Sequence, residues 1–306
     1  KVELDFRGSG TTFSVVRLRH AYLNLDWGTS ALLLGQTWHP LYGDVAPQIL
    51  NLNMGAPFQP FSRAPQIRYR YKTGDIQITG AALWQSQYLS QGPEGKSQKY
   101  IKNSCVPEIY AGIDYKHKGL LIGAGIEMVS LTPRTQATVE DKIYKVSERI
   151  TSLSYEVHMK YNSEKWLVAA KSVLGSNLTQ TSMLGGYGIK SIDPRTGEQE
   201  YSPNRNSSSW INIVYGKTWK PAIFFGYMKN LGTSDAVTNM YGTGTNVDQL
   251  LSGTAELTYN VPHWKLGVEY NLTSAWYGSL NHSNGKVVDT HSVSNNRLVA
   301  TALFMF

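Results

Sequence analysis

The residues best placed to do chemistry are cations at two-residue spacing. "RLRHAY" carries Arg17 and Arg19, and "QIRYRYK" carries Arg68, Arg70 and Lys72. In an extended chain this spacing puts each set on one face. Guanidinium groups stacked this way attract and bind anions, and they stay charged at any physiological pH. Carboxylates follow on later segments at the same period: Glu108 with Asp114, then Glu127, Glu156, Glu256 and Glu269. A basic wall facing an acidic wall would set up a transverse field. The plainer reading is that both sets only solvate a polar interior and neutralise each other.

Reaction chemistry finds little support. The sequence has no H-E-x-x-H, G-x-S-x-G, P-loop or paired-cysteine motif. His158 and Ser154 share a polar face, whereas outer-membrane lipases carry their Ser and His on the lipid side. His20 falls on an apolar-facing register without a serine partner, and His117 and His263 stand alone in turns. Cys105 is the single cysteine, so no intrachain disulfide forms. No enzyme activity, metal or cofactor is expected. The net charge of +7 is not gathered into runs and no recognition helix is evident, which argues against nucleic acid.

The elements that must position these charges are strands. Alternation pervades the chain, and no helical period survives a window count. In "ITSLSYEVHMKY", Leu153, Tyr155, Val157, Met159 and Tyr161 oppose Ser152, Ser154, Glu156, His158 and Lys160. The connections alternate too. Short turns at 26–30, 71–75, 116–119, 162–165, 216–220 and 261–264 take turns with long Gly/Ser/Asn/Thr-rich ones near 41–62, 89–105, 132–147, 175–208, 230–249 and 278–291. This rhythm predicts an all-β, up-and-down antiparallel transmembrane β-barrel, one domain over 1–306, with about fourteen strands. The expected strands are roughly 1–8, 13–26, 30–39, 64–73, 75–88, 106–116, 119–131, 148–161, 165–175, 209–216, 220–229, 250–261, 264–277 and 292–306. "KVELDFRG" reads as mid-strand, so an N-terminal portion is expected to precede it, and two further strands would make sixteen. A plug domain and 22 strands, as in TonB-dependent transporters, would not fit.

In such a barrel the apolar faces meet lipid and the polar faces line the lumen. Charged groups on the lipid face at mid-bilayer would cost about 2–4 kcal/mol each. Tyr69, Tyr71, Tyr115, Tyr161, Tyr215 and Tyr259 cluster beside the short turns as an interfacial girdle. The chain ends "NNRLVATALFMF", with Phe304 and Phe306 on the apolar face, which resembles the C-terminal strand signal of outer-membrane barrels. Short turns and both termini are expected on the periplasmic side. The connection "GDVAPQILNLNMGAPFQPFSRAP" has one acid, Asp44, and one base, Arg63, against Ile49, Leu50, Leu52, Met54, Phe58, Phe61 and four prolines. Its backbone would be unsatisfied in lipid. Residues 43–62 are therefore expected to fold inward and narrow the pore, with packing on a neighbouring subunit or on other loops as the alternative.

"RLRHAYLNLDW", "LLLGQTWHPLYGD", "NMGAPFQPFSRAPQIRYRY" and "MLGGYGI" resemble the DcaP-like family of outer-membrane porins, including relatives in Bacteroidota, most specifically over residues 13–72. The resemblance implies a sixteen-stranded channel, often trimeric, with an inward-folded loop and a preference for small anionic solutes such as dicarboxylates. Arg17, Arg19, Arg68 and Arg70 match the family's basic lumen residues. Residues 1–306 hold no counterpart of the N-terminal coiled coil of some members. Expected partners are the lipid bilayer with lipopolysaccharide, the barrel assembly machinery, small anions, and a homotrimer or larger membrane complex. A structural barrel with a plugged lumen, serving such a complex, is the alternative to a porin.

Overall fold

The computed structural model describes residues 1–9, 14–51 and 54–306, so Leu52 of the apolar connection lies outside the described residues. The chain opens with β1 (Val2–Ser9), β2 (Ser14–Asp26), β3 (Ser30–Trp38), β4 (Arg63–Thr73) and β5 (Ile76–Leu83). A small hairpin, β6 (Gln91–Gly92) and β7 (Gly95–Lys96), leads into helix α1 (Lys99–Ser104). Next come β8 (Glu108–His117), β9 (Leu120–Leu131), a separate hairpin β10 (Gln136–Val139) and β11 (Lys142–Lys145), then β12 (Ile150–Asn162) and β13 (Trp166–Ser176). The remainder is β14 (Gly185–Ile192), β15 (Gln199–Tyr215), β16 (Trp219–Gly232), β17 (Asn239–Thr243), β18 (Val247–Val261), β19 (Trp264–Leu280) and β20 (Val287–Phe304).

One sixteen-stranded antiparallel sheet holds most of the chain. Its path runs β1-β2-β3-β4-β5-β8-β9-β12-β13-β15-β16-β18-β19-β20, and β14 and β17 extend it at the long-loop end. This is the up-and-down β-barrel fold. Among the described residues, β1 and β20 each pair on one side only.

Alternation explains the path and also inverts the usual burial. On β12, Ser152, Ser154 and Glu156 are buried, while Leu153, Tyr155 and Val157 are exposed. Apolar residues outside and polar residues inside are what lipid outside and a polar interior demand. At the short-turn end, Trp166 packs on Tyr215, Trp219 on Tyr259 and Trp264 on Phe304, with ring centroids 4.6, 4.8 and 4.9 Å apart. Aromatic rings at this level suit a membrane interface.

Several local expectations need correction. β15 begins at Gln199 rather than near 209, because the Ser/Asn-rich stretch finds β14 as a pairing partner. β5 ends at Leu83 rather than near 88, where Gln85 turns inward to bond Ser90 and Glu108. Phe306 lies beyond the strand, which ends at Phe304, although the two rings remain 6.2 Å apart. His20 is not on the lipid face. The β1–β2 register shifts between Glu3/Leu4, leaving Arg19 as an extra residue. A bulge of this kind re-aims the side chains that follow it. His20 is buried, with Nδ1 2.9 Å from Thr37 Oγ1, and Tyr22 contacts its ring edge-on at 6.4 Å.

Candidate functional site

The described parts of the connection between β3 and β4, residues 39–51 and 54–62, cross the interior and are fastened to strands far from their own. At its root, His39 Nε2 lies 3.2 Å from Glu108 Oε2 and 3.4 Å from Glu127 Oε1. The Leu41 and Tyr42 carbonyls accept from Lys171 Nζ at 2.6 and 2.9 Å. Lys116 Nζ donates to Asp44 at 3.0 Å. Farther along, the Gln48 amide donates to Asn212 Oδ1 at 2.7 Å. At the tip the Leu50 amide donates to Glu256 at 2.8 Å and the Asn51 amide to Glu269 at 3.0 Å. On the way back, Ser208 Oγ donates to the Phe58 carbonyl at 3.1 Å and Trp210 Nε1 to Gln59 Oε1 at 2.8 Å. A loop carrying so few charges has its backbone groups satisfied by side chains of the wall, as burial requires.

Apolar contacts complete the seat. Val45 and Phe58 join Trp210, Phe224 and Met228 in one buried cluster. Two glycines make room for the loop. A Cβ at Gly226 would stand 2.6 Å from Phe58 Cγ, and one at Gly267 would stand 2.7 Å from Leu50 Cδ1. Met54 accepts from the Tyr42 hydroxyl at 3.4 Å, and Phe61 packs edge-on against Trp38.

The arginines do not form one ladder. Arg17 is gripped by both oxygens of Asp5, at 3.1 and 2.6 Å, and Arg19 reaches Glu3 at 3.2 Å. Together with Arg63 they line a cavity of about 380 Å³ on one side of the loop. Arg68 and Arg70 line a separate narrow recess with Asp44, Asp114 and His158. Arg68 is buried and donates to Gln66 and to the Trp38 carbonyl. Lys72 is exposed near the short turn. Nor do the acids stand as an open wall. Glu108 and Glu127 clasp His39, Glu256 and Glu269 hold the loop tip, and Glu156 accepts from Tyr110 at 3.0 Å beside His158.

Sequence reasoning overlooked His39, Lys171, Trp210, Asn212 and Arg297. Asn212, in "WINIVY", alternates with Ile211 and Ile213 and was legible as an inward residue, whereas Lys171, in "WLVAAKSVLGS", shares its inward face with Leu167, Ala169 and Val173, so that face carries no polar pattern to mark it. Arg297 faces a second cavity of about 270 Å³ on the other side of the loop tip, with Asn271 and Asn51. His39 gives no signal, since its partners lie on strands remote in sequence.

The His39, Glu108 and Glu127 ligand atoms lie within 4.8 Å of one another, as a metal site would require. The ring tautomer disfavours that use. The Leu41 amide donates to His39 Nδ1 at 3.2 Å, so Nε2 carries the proton toward the carboxylates. A metal on Nε2 would put a proton on Nδ1, facing that amide. The three residues are better described as a hydrogen-bonded clamp on the loop root.

No protein-family model matches the chain, and no curated protein matches it in sequence. Solved structures do. Outer-membrane expressed OmpT of Vibrio cholerae aligns with a TM-score of 0.56 at 10% identity, covering 95% of this chain and 82% of that one. The trimer form of in-vitro folded OmpT gives 0.56 at 12% identity, over 99% and 85% of the two chains. Salmonella typhi OmpF in complex with daunomycin gives 0.52 at 13% identity, over 94% and 79%. At such identities the likeness is one of fold, that of outer-membrane β-barrel proteins.

Proposed function

We propose that this chain is an outer-membrane porin, a passive channel for small hydrophilic solutes with a modest preference for anions. The observation that carries the reading is the sheet's inverted polarity together with a loop fastened across its polar side. An apolar exterior suits lipid, and a loop inside such a sheet narrows the passage it crosses. Arg17, Arg19 and Arg63 around one cavity, with Arg297 at the next, favour anions. The likeness to DcaP-like porins points to the same solute class and to dicarboxylates among the solutes. The same reading places the chain in the bacterial outer membrane, with short turns and both termini periplasmic, inserted by the assembly machinery beside lipopolysaccharide, and in a trimer.

Planar-bilayer recording with a salt gradient tests it. Stepwise conductance with a reversal potential of anion-selective sign is expected, and silence of folded protein would overturn it. One observation favours a plugged structural barrel instead: buried apolar clusters occupy part of the interior. Silence together with a stably co-purified partner would select that reading.

A further inference from the structure

We infer that the cavity between the loop and β1–β2 binds a small organic monoanion with an apolar body, its carboxylate seated on Arg63. The inference deepens the porin reading, and the binding itself is measurable whether or not the barrel conducts.

Arg63 is only 3% exposed, yet it makes no ion pair among the described residues. Its guanidinium carbon lies 3.7 Å from the Trp38 ring centroid, and Nη1 reaches Gln87 Oε1 at 3.5 Å, the outer limit of a hydrogen bond. Its Nε is buried with no hydrogen-bond partner. A buried cation left this way is costly, and an anion relieves the cost. The neighbouring guanidinium groups have their carboxylates, Arg17 on Asp5 and Arg19 on Glu3, the latter shared with the half-exposed Lys1 at 2.8 Å. Of the three guanidinium groups on the cavity, Arg63 is the one without an ion pair among the described residues. One unpaired guanidinium calls for one carboxylate, which separates this site from a dicarboxylate site.

The rest of the wall sets the remainder of the ligand. Ile49, Met54, Phe61 and Tyr88 present apolar surface to a space of about 380 Å³. A carboxylate on Arg63 leaves its organic body against those rings, so benzoate fits the chemistry better than acetate, which has too little body, or succinate, which brings an unmatched second charge.

The test is calorimetric titration of the detergent-folded full chain at neutral pH with benzoate, acetate and succinate. Benzoate should bind about tenfold more tightly than either of the others. Arg63→Gln should weaken benzoate by about tenfold or more, the worth of a charge-assisted hydrogen bond, and Arg63→Lys should retain most of the binding. Phe61→Ala, which keeps every charge, should weaken benzoate and leave acetate unchanged, so the inference remains testable if Arg63→Gln fails to fold. Succinate binding as tightly as benzoate, or wild-type benzoate affinity in folded Arg63→Gln, would overturn the site. Conductance without benzoate binding refutes the site and leaves the porin reading standing, and binding without conductance does the reverse.

Discussion

At the scale of single residues, two buried cations invite opposite expectations. Lys171 is buried, holds two loop carbonyls and lies 4.0 Å from Glu156. Lys171→Met strips these acceptors of their donor and should cost about 3–5 kcal/mol, read as a lowered urea midpoint of the folded barrel. Arg63→Gln removes a cation that has no ion-pair partner among the described residues, so in the absence of organic anions the same titration should show little loss. A third residue gives a pH signature. Burial pushes the Asp44 carboxyl up, but Lys116 at 3.0 Å, with Arg70 and Arg68 beyond, outweighs it and holds the group below its ordinary value of 3.8. A carboxyl depressed in the folded state adds stability above its ordinary value and loses it as pH falls through the folded value. On the porin reading, current should therefore stay quiet down to about that ordinary value, grow noisy below it as the tether releases, and show no such acid-side step in Asp44→Asn. None of these three roles is readable from composition. Arg63 stacks on Trp38 because the β3–β4 register pairs those two positions, and register is a property of the paired strands.

The strands themselves were largely legible, because their faces must differ wherever one side meets lipid. What escaped was structure that lacks this requirement. β14, β17 and the start of β15 lie among the long loops, in Gly-, Ser- and Asn-rich sequence, and they hold through pairing with one another. The bulge at Arg19 also escaped, since one extra residue reverses the face of those beyond it. At this scale the loop's seat can be tested without touching a charge. Gly226→Ala brings a methyl within 2.6 Å of Phe58 Cγ, so the ring and the loop behind it must shift. Single-channel conductance should change while the reversal potential stays put, and an unaltered conductance would mean the ring yields without moving the loop. Deleting residues 48–60 removes the fastening to β18 and β19 altogether, and conductance should rise. On the opposite face, Val157 is 56% exposed at mid-strand, and Val157→Arg should cost about 2–4 kcal/mol of folding stability in a bilayer.

For the molecule as a whole, the arginines act through a shared field only where the loop leaves them facing the same water. Arg17, Arg19 and Arg63 meet that condition, whereas Arg68 is screened behind the loop in its own recess. Replacing Arg17 and Arg19 with Gln should move the reversal potential toward cations, an effect that shrinks as salt shortens the Debye length to about 3 Å at 1 M. Replacing Arg68 should leave it unmoved. The loop's attachments reach from Glu108, Glu127 and Lys171 on one side to Glu256 and Glu269 on another. In mechanical language that is a tie-rod across a hoop. A hoop squeezed by its surroundings goes oval unless something inside resists, and here ovalisation would have to break the Leu50 and Asn51 fastenings. On the porin reading, the intact barrel should therefore conduct equally in thin and thick bilayers, and the form lacking residues 48–60 should become sensitive to lipid chain length.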